Sequence, residues 1–179
     1  MPVNRGTDTP ARRSRFGAGG EQEHGINTES VLFSCGYSIY MRVIVKETGR
    51  YLLRFDRGEE IVSGLAVFAA QERIPGASFT AIGAAEKVVI SFYSGRTKKY
   101  EDMLIKDELE ISALSGNVAW KGSEPIVHAH GVFSDRAMKT FGGHVRKCVI
   151  SFTGEVSLSV FGKKVERAHD EKAGLNLLS

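Results

Sequence analysis

Pro125-Ile-Val-His-Ala-His-Gly-Val-Phe133 is the stretch that decides the fold. β-Branched and aromatic residues fill it, and Gly122-Ser123 forms a turn signal ahead of it. That composition predicts a strand. Side chains along a strand alternate faces, so His128 and His130 share one face about 7 Å apart along the backbone. Ile126 and Val132 flank them on that face.

Outward from this strand the pattern stays mostly β. Upstream, Val118–Lys121 and Leu109–Leu114 read as short strands, separated by a break at Ser115-Gly116-Asn117. Tyr100–Ile105, Lys87–Tyr93 and Phe79–Gly83 read the same way. Downstream, Arg136–Gly143 reads as a loop. Val145–Phe152 and Val156–Phe161 then read as two strands joined near Thr153-Gly154. One helix interrupts the β pattern. Glu59 and Glu60 suit the first turn of a helix, where negative charge is favoured. Ile61, Leu65, Phe68 and Ala69 follow at helical spacing, and Pro75-Gly76 stops the run. Val43–Val45 and Tyr51–Phe55 precede it as strands around Thr48-Gly49. Many strands, one helix and no βαβ alternation predict an α+β fold: a largely antiparallel sheet with the helix packed on it.

The chain has 179 residues, a length that suits one domain with tails. Residues 1–30 hold few large apolar groups, which predicts disorder; residues 31–40 are less polar and ambiguous, and 1–40 as a whole is read as a disordered or non-native extension. Within them Arg5, Arg12, Arg13 and Arg15 balance Asp8, Glu21, Glu23 and Glu29. Met41 opens the strand pattern abruptly, which raises the hypothesis that it is the true translation start. The domain is expected over 41–167, with 168–179 a flexible polar tail. Cys35 and Cys148 are too far apart to suggest a disulfide framework or a metal-spaced pair. Cys148 stands in an apolar run and reads as a small buried hydrophobe. No run reaches the roughly 18 apolar residues of a membrane span, and no apolar segment follows the N-terminal arginines as in a secretory signal. A cytoplasmic protein is the expectation. A net charge of +3 declares no basic stripe for nucleic acid.

Three segments in order carry a family resemblance: Glu110-Ile-Ser-Ala-Leu-Ser-Gly-Asn117, Pro125-Ile-Val-His-Ala-His130 and Gly142-Gly-His144. Arg54-Phe-Asp-Arg-Gly-Glu-Glu60 and Ala81-Ile-Gly-Ala84 add to it. Together they resemble the PPC domain, also called the domain-of-unknown-function 296 family, of prokaryotic stand-alone proteins and plant AT-hook nuclear proteins. The resemblance implies an antiparallel sheet with a helix, a homotrimer, and a DNA-binding label that comes from the plant members. Those members carry a separate AT-hook with an arginine-glycine-arginine-proline core. Ala11-Arg-Arg-Ser-Arg-Phe-Gly17 is basic but lacks that core. Asp107 and Glu108 stand where plant members place a glycine-arginine pair, so the local charge is reversed.

The resemblance also implies that His144 joins His128 and His130. Three histidines with one open position form the ligand set of a catalytic zinc site. The other reading of such a set is structural, with each imidazole hydrogen-bonded to a carbonyl or an acid. Zinc leads among divalent metals because imidazole suits it. Glu110 is the acidic candidate near them, as a catalytic base, as a carboxylate orienting an imidazole, or as one half of an ion pair. No nucleophile triad, phosphate loop or dinucleotide fingerprint is present. The function expected is therefore a trimeric module with a metal or small-ligand site and a regulatory or binding role. A DNA-binding regulator and a small zinc-dependent hydrolase or lyase are the alternatives.

Overall fold

A computed structural model describes residues 41–179. The N-terminal extension of residues 1–40, Cys35 included, lies outside the described residues. The elements run β1 (Arg42–Glu47), β2 (Arg50–Asp56), α1 (Ile61–Gln71), β3 (Ala77–Ser94), β4 (Lys99–Ile105), β5 (Leu109–Lys121), β6 (Glu124–Ser134), β7 (Thr140–Val160), β8 (Arg167–Asp170) and β9 (Leu175–Leu178). The α+β expectation holds: among the described residues, seven strands form one sheet in the order β1-β2-β7-β6-β5-β3-β4, every pairing within it antiparallel, and one helix packs against it. An additional β7–β3 pairing joins β3, β5, β6 and β7 into a closed circuit of hydrogen-bonded strands.

Strands β3, β5 and β7 are longer than the sequence suggests, β3 running through the gap between Gly83 and Lys87. Ser115-Gly116-Asn117 does not break β5; these residues pair with His130, Ala129 and His128 on one side and with Thr80, Phe79 and Ser78 on the other. Gly116 is there for space. A Cβ on it would fall 2.8 Å from Cζ of Phe79 and against the His128 carbonyl. Likewise β7 runs through Thr153-Gly154, which pair with Asp56 and Phe55 of β2. Its start reaches back to Thr140, inside the segment read as a loop, because Thr140–His144 pair with Ser134–His130. In each case a glycine read as a breaker is a contact where a side chain has no room.

The helix buries Ile61, Gly64, Leu65, Phe68 and Ala69, the i, i+3, i+4, i+7, i+8 stripe of an amphipathic helix. They pack into one core with Leu53, Phe55, Phe133, Val145, Cys148, Ile150 and Leu158. Glu60 is the N-cap, one step earlier than the first-turn position read from sequence. Its carboxylate accepts from the backbone N–H of Val62 and Ser63, and also from Cys148 N–H of β7 at 2.8 Å. One side chain thus caps the helix and ties it to the central strand. Burial, with the Glu60 charge beside it, pushes the Cys148 thiol up to about 12, so Cys148 is the inert buried thiol expected.

Residues 168–179 depart from the expected flexible tail. β8 and β9 form a two-stranded ribbon held to the sheet. Trp120 N–H donates to Val165 O, Tyr93 Oη to Ala173 O, and Lys98 Nζ to Glu171 O at 2.8 Å. Polarity hid this ribbon because it is pinned by hydrogen bonds, not by a buried apolar face. The Trp120 indole donates to Ile74 O at 2.9 Å within the fold.

Replacing Glu60 with Ala removes a helix cap and leaves the Cys148 amide without its acceptor. We expect a loss of about 2–4 kcal/mol, the sum of a cap and an orphaned buried donor. Denaturant unfolding at fixed protein concentration measures it; a loss below about 0.5 kcal/mol means that the carboxylate does not tie helix to sheet.

Candidate metal centre

The three histidines are placed by strand pairing. His130 of β6 stands directly opposite His144 of β7, and residues opposite each other across an antiparallel pair share a face. His128, two residues before His130, lies on that face as the alternation requires. The ring centroids are 5.2 Å apart for His128–His130, 5.1 Å for His128–His144 and 5.5 Å for His130–His144. One ligand nitrogen from each ring lies within 4.8 Å of the others. The tight register at His144 depends on Gly142, where a Cβ would collide with the Gly131 carbonyl across the pair.

His128 and His144 are half-buried, while His130 is exposed. Burial lowers the affinity of His144 for protons to a pKa of about 4, helped by the neighbouring His128, His130 and Arg146. Burial also lowers His128, followed by the charges of Arg167 and His130. Both rings are therefore neutral at neutral pH, the form in which histidine ligates a metal. His144 Nδ1 is buried and has no hydrogen-bond partner. A satisfied structural histidine does not leave a ring nitrogen in that state.

Neighbours complete the picture. Tyr100 of β4 lies over His144 with centroids 5.1 Å apart, and the Arg146 guanidinium covers the Tyr100 ring at 4.4 Å. Arg146 also approaches Asp102 at 3.3 Å, and Ser91 Oγ donates to the same carboxylate at 2.6 Å. Asn117, the cross-strand partner of His128, accepts from Arg167 Nη2 at 2.7 Å. Beside His130 the surface opens into a groove of about 260 Å³ floored by Gly131 and Gly143.

Glu110 is not part of this arrangement. It pairs with Ser134 at the other end of β5, five positions from Ser115, which faces His130. At about 3.3 Å per residue that is roughly 16 Å along the strand. Instead it lines a separate surface depression with Glu108, Arg136 and Met138. The sequence reading missed Tyr100, Asn117, Arg146 and Arg167 as neighbours of the cluster. Their one signal was polarity, which marks any solvent-facing residue.

The plants-and-prokaryotes-conserved (PCC) domain, the PPC domain of the sequence reading, matches residues 44–162, about two thirds of the chain. The chain belongs to that family. It is similar to a metal-containing protein of Archaeoglobus fulgidus, at 33% identity and a TM-score of 0.68, over 76% of this chain and 96% of that one. A PPC protein of Pyrococcus horikoshii is 32% identical with a TM-score of 0.68, over 73% and 90%. A "putative DNA-binding protein" of Ralstonia eutropha is 27% identical with a TM-score of 0.71, over 75% and 94%. Among curated proteins, the bifunctional protein GlmU of a Synechococcus strain is 32% identical over 111 residues, or 61% of this chain. The chain spans 17% of the length of that relative. The PPC fold expected from the sequence is thus the fold observed.

The depressed pKa values set a pH dependence for the metal-free protein. The unfolded chain takes up a proton on His144 near 6.5, whereas the folded protein keeps the ring neutral to about 4. Between those values the unfolded state binds more protons, so this contribution is fully present above pH 6.5 and is lost as pH falls toward 4. Urea midpoints from pH 7 to 4.5 should fall less steeply in His144→Ala than in the unaltered protein; equal slopes contradict the assignment.

Proposed function

We propose that this PPC domain is a homotrimeric binding module that holds a divalent metal, zinc first, between His128, His130 and His144, in a regulatory or ligand-binding role. The convergence of three imidazoles on one sheet face carries this reading, and the buried, unpartnered Nδ1 of His144 supports it. The three nitrogens lie within 4.8 Å of one another, and ligand atoms around tetrahedral zinc stand about 3.3 Å apart, given bonds of about 2.0–2.1 Å. Small side-chain rotations close that gap. Bound there, zinc would supply a Lewis-acidic centre with a fourth position open. The protein's own groups would hold the imidazoles neutral and fix their orientation through the β6–β7 register. The similar protein of Archaeoglobus fulgidus is named as metal-containing, which supports a bound metal in this chain.

Hydrolysis or lyase chemistry is the weaker reading. Glu110 lies remote from the rings, and the nearby Asp102 carboxylate is already engaged by Arg146 and Ser91, so neither is poised as a general base. Association into a trimer is supported by exposed apolar side chains on the sheet. Phe92 and Phe152 are each 70% exposed, with Ile82, Met103 and Leu104 also uncovered. Among the described residues no helix is long and apolar enough to cross a membrane.

Purified full-length protein is expected to bind about one zinc per chain and to show a trimer mass by light scattering. His128→Ala, His130→Ala and His144→Ala should each lose at least tenfold in zinc affinity. Unchanged zinc content in all three variants removes the site, and a monomer mass removes the assembly.

DNA binding is a second reading, supported by the name of the Ralstonia eutropha protein. A mobility shift with duplex DNA, titrated with salt, tests it. Phosphate contacts predict affinity that falls steeply with ionic strength; no shift at low salt excludes it.

A further inference from the structure

The C-terminal ribbon brings a charge to the histidine cluster from outside the family domain. Arg167 opens β8, beyond the matched residues 44–162. Its guanidinium is pinned twice: Nη2 donates to Asn117 Oδ1 at 2.7 Å and Nη1 to Asn176 O at 3.0 Å. Asn117 is the cross-strand partner of His128, and the positive charge of Arg167 is felt by that ring. The Tyr100 phenol lies within electrostatic reach on the other side. Arg167 Nε is nevertheless buried with no hydrogen-bond partner. An arginine donor taken out of water and given nothing to donate to is costly unless a further acceptor arrives.

The charge balance says what kind of acceptor fits. The ligand group consists of three imidazoles and contributes no negative charge. Asp102, the carboxylate whose charge reaches His144, is already shared by Arg146 and Ser91. A divalent cation on the imidazoles beside Arg167 would leave the centre strongly positive in a partly desolvated place. A planar guanidinium matches a carboxylate fork, and charge-assisted hydrogen bonds are the strong ones.

We propose that Arg167 makes this centre a receptor for a small carboxylate, shared between the histidine-held cation and the guanidinium. The inference rests on the metal reading above and adds the ligand class to it.

Cobalt(II) in place of zinc gives an optical probe, and acetate serves as the test carboxylate. Cobalt-loaded full-length protein is expected to change its visible bands on titration with acetate. Arg167→Gln should bind cobalt as before but acetate at least tenfold more weakly. Arg167→Lys keeps the charge but loses the fork, so it should fall between them. Acetate affinity within twofold of the unaltered protein in both variants overturns the role of Arg167. Cobalt binding with no acetate response in the unaltered protein overturns the carboxylate ligand alone. Failure of cobalt to bind overturns the metal reading and this inference together.

Discussion

Strand β7 is hydrogen-bonded along much of both its edges, and the rest of the molecule depends on that sharing. From Gly154 to Ser159 it pairs with β2 on one side and with β3 on the other. Toward its start it trades β2 for β6, while β3 follows it to His144. The strand therefore joins the β1-β2 end of the sheet to the closed circuit of β3, β5, β6 and β7. Its Cys148 amide is held by the carboxylate that caps the helix. A register slip of one residue would turn every side chain of β7 to the opposite face, emptying the core of Val145, Cys148 and Ile150 and removing His144 from its partners.

The candidate site follows from this rigidity. The histidines stand on strands paired with one another, not on loops, so their separation is fixed by sheet geometry before any ligand binds. That is the arrangement in which a ligand set is held ready at low entropic cost. The half-buried rings, their lowered proton affinity and the unpartnered His144 nitrogen are three consequences of one packing decision: polar side chains on a face that the sheet and the C-terminal ribbon together withdraw partly from water.

Glycine was the residue most open to misreading. Gly116, Gly142 and Gly154 all look like punctuation along the chain, and all three sit in mid-strand. Each lies where a carbonyl or a core side chain occupies the space of a Cβ. A breaker and a close-packing contact call for the same residue, and only the neighbouring strand tells them apart. Glu110 illustrates the same limit. Its place in a motif suggested nearness to the histidines, but antiparallel pairing put it at the far end of β5.

The sequence by itself determined the α+β class, the single helix with its buried stripe, and the shared face of His128 and His130, because these follow from periodicities of two and 3.6 residues that act locally. The place of His144 in the trio came only through the family pattern. Tertiary structure decided that β3, β5 and β7 run unbroken, that His144 faces His130 across a strand pair, and that Arg167 returns beside Asn117 from 50 residues away. Those outcomes rest on pairing between distant segments, where register and available space, not local preference, choose the partner.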